Sequence, residues 1–435
     1  MTPDMTPAPS PRLSRRGFLG ATALGAIGST LMSSTGDAEA ATTRRSQLVR
    51  VGGTGFVGAC RGVVVGDAGL RFVRRFGETT YIDRTTGRRL GWELAQWTGL
   101  PVTLTVPATQ LVASWNATTP QGSAVRIKLR ARSATGTWSK WFTMAVWTAG
   151  QADTNTPTRT TVNGQSDAVA KVSTDTLVAA SGVTFTSVQI RVELARQRGS
   201  RVTPGLREVC VVASTTPQSS TPVSPVGVGA GHSLAVPAYS QMIHEGHYPA
   251  WNGVGEAWCS ATSTAMVLDH FGVGASTSET SWVRPTPHVD PQVEQVVRGV
   301  WDAGYQGTGN WPFNTAHAAT RGLSAFVTRL RSLAEAELFI AAGIPLIVST
   351  SFSKTQLTGA GFGTNGHLMV IRGFDAAGNV LVNDPASGMV ASNTRVAKTY
   401  DRAQFESAWG RSGGTTYVMH PASRALPARI PGAAW

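Results

Sequence analysis

Gly255-Glu-Ala-Trp-Cys259-Ser-Ala-Thr-Ser-Thr-Ala-Met-Val-Leu-Asp-His-Phe-Gly272 is the stretch that decides the fold of the second half of this 435-residue chain. Ala261, Ala265, Leu268 and Phe271 recur at helical spacing, and Gly272 supplies a stop, so a helix is predicted from Cys259 to about His270. Its first residue is a cysteine. The unpaired amides and positive dipole end of a helix N-terminus stabilise a thiolate.

A nucleophilic thiol needs a base, an orienter for that base and donors for an oxyanion. Upstream lies Val236-Pro-Ala-Tyr-Ser-Gln241; downstream lie Asn365-Gly-His367-Leu-Met-Val-Ile-Arg372 and Val380-Leu-Val-Asn-Asp384-Pro385. The order is Gln241, Cys259, His367, Asp384. His367 opens a predicted strand, and Gly366 before it leaves room for a passing substrate backbone. Asp384 closes the next strand, with Asn383 as an adjacent rival. His244 and His247 are rivals to His367 as base, or a pair lining the cleft. If the turn centres near Ala377, His367 and Asp384 are offset by about three residues, or ~10 Å, and a bulge or longer loop must shorten that.

Around the helix the pattern is mixed. Further helices are predicted over 291–303 and, from the capping pattern Ser332-Leu-Ala-Glu335, over 332–342; strands are predicted over 344–350, 367–373, 380–383 and 415–419. Helices followed by strands indicate α+β. Residues 45–214 read instead as all-β. Val125-Arg-Ile-Lys-Leu-Arg-Ala-Arg132 and Val188-Gln-Ile-Arg-Val-Glu-Leu194 alternate strictly, and Ser133–Thr137 is a turn leading into Trp138–Trp147. Many short strands suggest a jelly-roll-like β-sandwich. Trp138, Trp141 and Trp147 read as core or rim packing, with a sugar-stacking platform as the alternative.

The expected organisation is a signal segment over 1–40, a sandwich over 41–214, a Pro/Ser/Thr linker over 215–231, an α+β domain over 232–421 and a tail over 422–435. Ser14-Arg-Arg-Gly-Phe-Leu19, a small apolar run and Ala38-Glu-Ala40 resemble a twin-arginine signal with its cleavage site, which implies a secreted protein. No run reaches the ~18–20 apolar residues of a membrane span. The net charge of +13, nearly all from arginine, favours anionic cell-envelope polymers as partners, and no nucleic-acid motif is present. In an oxidising milieu Cys60 and Cys210 are expected to pair, which leaves Cys259 free. No metal site and no cofactor motif is evident.

The Gln-Cys-His-Asp order, with Val-Pro-x-x-x-Gln before the helix and Gly-His followed by Asn-Asp-Pro, resembles the papain-like superfamily. Within it, the chain is most similar to the bacteriocin-processing (double-glycine leader) cysteine peptidases and their exported actinobacterial relatives. Asn310-Trp-Pro-Phe-Asn314 and Tyr400-x-Arg402-x-x-Phe405-Glu-x-x-Trp409 share in that resemblance, which covers 232–421. It implies Cys259 as nucleophile, His367 as base, Asp384 as orienter and Gln241 as oxyanion donor. A peptide or protein substrate follows, cell-wall peptide included. The chain departs from the leader peptidases in having neither membrane spans nor a nucleotide-binding loop, so the leader substrate does not carry over. The alternatives are a wall-peptide hydrolase or acyltransferase of the same chemistry, or a non-catalytic wall- or glycan-binding protein.

Overall fold

In the computed structural model, residues 45–215, 222–252 and 257–435 are described. The signal segment and positions 216–221 of the linker lie outside them. Among the described residues up to Ser214 there are only strands and turns, with a single 3-10 turn at Gly53–Gly55. Two antiparallel sheets form there. One has seven strands, with Gly205–Ser214 between Gln110–Thr118 and Ser46–Gly52. The other has eight, centred on Ser123–Ser133 and Phe185–Gln197, the two long alternating segments. Ile127, Leu129, Val192, Val209 and Val211 belong to one apolar core. The turn after Ser133 closes as predicted, with the Ser133 N–H donating to the Thr137 carbonyl at 2.9 Å.

The second half carries a six-stranded antiparallel sheet in the order 324–329, 415–420, 346–352, 364–374, 380–383, 397–400. Its helices are α1 (Cys259–His270), α2 (Thr277–Thr280), α3 (Gln292–Val300), α4 (Trp311–Thr320), α5 (Leu333–Ala341) and α6 (Arg402–Arg411). Helix α1 spans the predicted residues. It is buried from Cys259 to Leu268, not merely on one stripe. Its hydroxyls find partners: Ser260 with the Tyr417 hydroxyl, Ser263 with the Leu368 carbonyl, and Thr264 with Asn314. Helix α5 is capped by Ser332, but Glu335 reaches back to the Arg331 N–H rather than to that of Ser332.

The outer face of the seven-stranded sheet packs on this half. Ser114 and Asn116 accept from the N–H groups of Val327 and Ala325, covering an edge strand that would otherwise offer unpaired amides. Phe313 of α4 meets Trp115 and Trp147 of the sandwich, with ring centroids 6.1 and 5.3 Å apart. One apolar core therefore runs from the sandwich to α1, α3 and α4. A second lies under α5 and α6 on the other face of the six-stranded sheet. The end of the linker is tied down as well. Ser224 donates to Glu406, the N–H groups of Gly227 and Gly229 donate to the buried Glu337, and Arg402 donates to the Ser224 and Pro225 carbonyls. At the C-terminal end, Trp435 is buried against Phe339.

The expected Cys60–Cys210 pairing does not form; both are free thiols. Cys60 is exposed on a strand of the eight-stranded sheet. Cys210 belongs to the other sheet and is buried in the core of the second half, its neighbours Val209 and Val211 facing the sandwich. Packed sheets stand about 10 Å apart, more than a disulfide spans. Of the three tryptophans, Trp147 is core, as read. Trp138 and Trp141 are half-buried beneath the guanidinium of Arg130, and Arg191 also lies over Trp141.

Candidate active site

Cys259 is the first residue of α1, so its backbone N–H has no intrahelical partner. Trp258 before it is fully buried and donates its indole N–H to the Trp251 carbonyl. Cys259 itself is 9% exposed. His367 lies on strand Thr364–Phe374, opposite Thr350, with the ring of Phe362 set edge-on at 5.3 Å. Its Nε2 is 2.7 Å from Asp384 Oδ1. An ionised carboxylate only accepts, so Nε2 carries the proton and Nδ1 is left for the thiol. The imidazole lies against the Cys259 thiol, and each favours the charged form of the other.

The offset between His367 and Asp384 is resolved by a bulge. Strand Thr364–Phe374 pairs Phe374 with Val380 and Gly373 with Leu381, but then Ile371 with Val382 and Val370 with Asn383. Arg372 is the extra residue. This shift by one sets Asp384 level with Met369, two positions from His367 instead of three. An odd offset would put the two side chains on opposite faces of the sheet; the even one puts them on the same face as diagonal neighbours, within reach of a long side chain.

Asp384 is wholly buried. Tyr400 donates its hydroxyl to Oδ2 at 2.8 Å, and the Ala386 N–H donates to Oδ1 at 3.0 Å. Burial pushes this carboxyl up. The charge and hydrogen bond of His367, with those of Tyr400 and Ala386, outweigh it and hold the group below the usual carboxylate range. The same opposition acts on Cys259. Burial raises the thiol, but the hydrogen bond and charge of His367, with the N–H groups of Leu368 and Ser260, bring it below its ordinary value. For His367 burial disfavours the charged form, and Asp384 and the thiolate reverse that, so the imidazolium is strongly favoured. The arrangement can hold a thiolate–imidazolium pair, out of water, with a fixed tautomer.

Gln241 begins the 3-10 turn Gln241–His244 and is buried. Its backbone N–H donates to the carbonyl of Pro385, which fastens the turn beside Asp384. The rivals fall elsewhere. Asn383 donates to the Val236 and Pro237 carbonyls and so anchors the segment leading to Gln241. His244 and His247 both contact Glu294 of α3. The sequence reading missed Tyr400 as a partner of Asp384. Its signal was faint: a short strand, Ala397–Tyr400, that lacks alternating apolar residues. At Gly366 an added Cβ meets nothing within 4 Å, in line with an open approach to the histidine.

Residues 56–214 match a family model described as Peptidase C39 N-terminal domain, and residues 233–417 match one described as Peptidase_C39 like family. No curated protein matches the chain. Among solved structures, one titled "Structure of infectious bursal disease virus Gx strain" is 10% identical with a TM-score of 0.18, over 42% of this chain and 37% of that one. Another, titled "Structural basis for the promiscuous specificity of the carbohydrate-binding modules from the beta-sandwich super family", is 15% identical with a TM-score of 0.16, over 39% and 53%. The chain thus spans well under two thirds of either structure. Both domain matches fall on the two halves described above, an all-β half and a half in which a cysteine-led helix meets a histidine-bearing sheet. The chain belongs to the C39-type papain-like cysteine peptidases of the actinobacterial kind.

Proposed function

We propose that the protein is an exported cysteine peptidase that cleaves peptide bonds through a thioester acyl-enzyme. The observation that carries this reading is His367 held between the Asp384 carboxylate, at 2.7 Å, and the thiol of Cys259. The thiolate attacks the scissile carbonyl carbon and forms the C–S bond. The carbonyl oxygen becomes an oxyanion, met by the Cys259 N–H and the Gln241 side-chain amide. Imidazolium Nδ1 gives its proton to the leaving nitrogen as the C–N bond breaks. Water, deprotonated by the now neutral His367, then hydrolyses the thioester and regenerates the thiol. Asp384 keeps the tautomer throughout.

Cys259→Ala tests this directly: turnover of peptide substrates should vanish, and a thiol-directed electrophile should label the wild-type chain at Cys259. Turnover that survives the substitution would remove Cys259 from the reaction. A second reading, cell-wall peptide as the substrate, is supported by the charge of +13 and by the eight-stranded sheet. Arg126, Lys128, Arg130 and Arg132 alternate along one strand of that sheet; Glu193 pairs with the first two, and Arg130 and Arg132, with Arg191 beside them, are left to suit an anionic envelope polymer. Release of soluble peptides from purified walls by the wild type, and not by Cys259→Ala, would select this reading.

A further inference from the structure

Behind the Gln241 turn, four side chains converge. His244 Nδ1 and His247 Nδ1 lie 2.7 and 3.0 Å from Glu294 Oε1, and His288 Nε2 lies 3.4 Å from it. His288 Nε2 is also 2.9 Å from His247 Nδ1. All four ligand-type atoms fall within 4.8 Å of one another. They come from three places in the chain: the turn that Gln241 opens with the residues just after it, the loop before α3, and the first turn of α3.

Protons account poorly for this cluster. Neutral imidazole nitrogens either donate or accept, and an ionised carboxylate only accepts. With His247 Nδ1 against both Glu294 Oε1 and His288 Nε2, one N–H must be shared between two acceptors. Glu294 Oε2 is left buried with no hydrogen-bond partner. A cation takes a lone pair from each of the four atoms at once. Three imidazoles and a carboxylate form a donor set of borderline softness. Zn²⁺ binds nitrogen at about 2.0–2.1 Å and carboxylate oxygen at about 2.0–2.2 Å, so a tetrahedral ion holds its ligand atoms about 3.3 Å apart. Around Glu294 Oε1 the spacings are 2.7–3.4 Å, and no pair of the four atoms is wider than 4.8 Å, so the shorter ones open and the wider ones close around an ion. The Glu294 and His244 side chains are fully buried, while that of His247 is 21% exposed, which gives an ion a way in.

We propose that His244, His247, His288 and Glu294 bind a divalent cation of zinc's class in a closed, structural site. With all four positions filled by protein, the ion has no open position for substrate. It bolts the turn that carries Gln241 to α3 and so fixes the floor behind the thiol. The site is separate from the thiol chemistry and can be tested without it.

The test uses the full-length Cys259→Ala protein, so that the reactive thiol cannot hold metal. The chain is stripped with a chelator, loaded with Zn²⁺, passed through gel filtration and assayed for metal. Loading with Co²⁺ gives the coordination geometry by visible absorption. The expected result is about one Zn²⁺ per chain and the intense spectrum of four-coordinate cobalt, both lost in His247→Gln. That substitution lies at the most exposed ligand and should leave the fold intact by circular dichroism. Glu294→Gln should lose the ion as well. A chain that retains no metal after loading, or one whose metal and spectrum survive His247→Gln undiminished, overturns the proposal.

Discussion

At the scale of the residue, three groups share one proton economy. Asp384 is stripped of water, yet it stays ionised because His367, Tyr400 and the Ala386 N–H all point at it. That fixed anion makes the His367 imidazolium favourable, and the imidazolium in turn stabilises the thiolate. Gln241 has no place in this chain of protons. In the proposed mechanism its part is the oxyanion, which exists only along the reaction path. Gln241→Ala should therefore lower kcat by roughly 10²–10³ with little change in KM, read in steady-state kinetics. An unchanged kcat would take it out of the site. The residue types and their order were legible in the sequence because nucleophilic thiol chemistry demands them. The rivals Asn383, His244 and His247 could not be set aside there, since what separates them from the site is where each side chain points. Asn383 is turned toward the Val236 and Pro237 carbonyls, and the two histidines toward Glu294.

At the scale of the element, helix α1 was readable to the residue because a stop glycine and helical spacing bracket it. Helices α4 and α6 were not read from periodicity. The apolar residues of α4 face two partners, the sandwich and α1, and leave no polar stripe to give the period away. Their caps were present in the sequence: Asn310 accepts from the Phe313 N–H, and Asp401 from the Gln404 N–H. The bulge at Arg372 had no sequence signal beyond the need for one. It is anchored by the Arg372 carbonyl, which accepts from the Leu234 N–H at 2.7 Å. With Arg372 kept as the extra residue, deleting Leu381 from the partner strand should set Asp384 level with Val370, three positions from His367 and on the opposite face. Turnover should then fall below detection while the far-ultraviolet circular dichroism keeps its strand signal. Full activity in the deletion variant would show that the register is not what brings the two together.

At the scale of the whole molecule, the two halves share a core. The Pro/Ser/Thr stretch suggested separate domains on a tether, and a tether does announce itself by composition. A shared interface does not, because Trp115, Trp147 and Phe313 look like ordinary core residues of their own halves. The interface also contains Arg159, which donates to the Thr148, Arg298 and Trp301 carbonyls, and Asp302, which accepts from the Thr161 N–H. Phe313→Ala empties the place between the two tryptophans and should cost about 3–5 kcal/mol. In calorimetry the wild type should melt in one transition, and the variant at a lower temperature. Two transitions in the wild type, with only one moved by the substitution, would mean that the halves fold independently.

The central claim is that His367, aligned by Asp384, keeps Cys259 ionised inside the protein. The most direct measurement is the rate at which iodoacetamide alkylates Cys259 as a function of pH, read peptide by peptide by mass spectrometry, with the exposed Cys60 as the internal reference. A thiol whose value is lowered is ionised at lower pH, so labelling of Cys259 should already be fast near neutrality, well below the ordinary thiol value of 9.0. In His367→Ala only burial and the backbone donors remain, and the labelling midpoint should move upward in pH. Labelling of Cys259 that follows Cys60 across the whole range, or that keeps its midpoint when His367 is removed, would contradict the account.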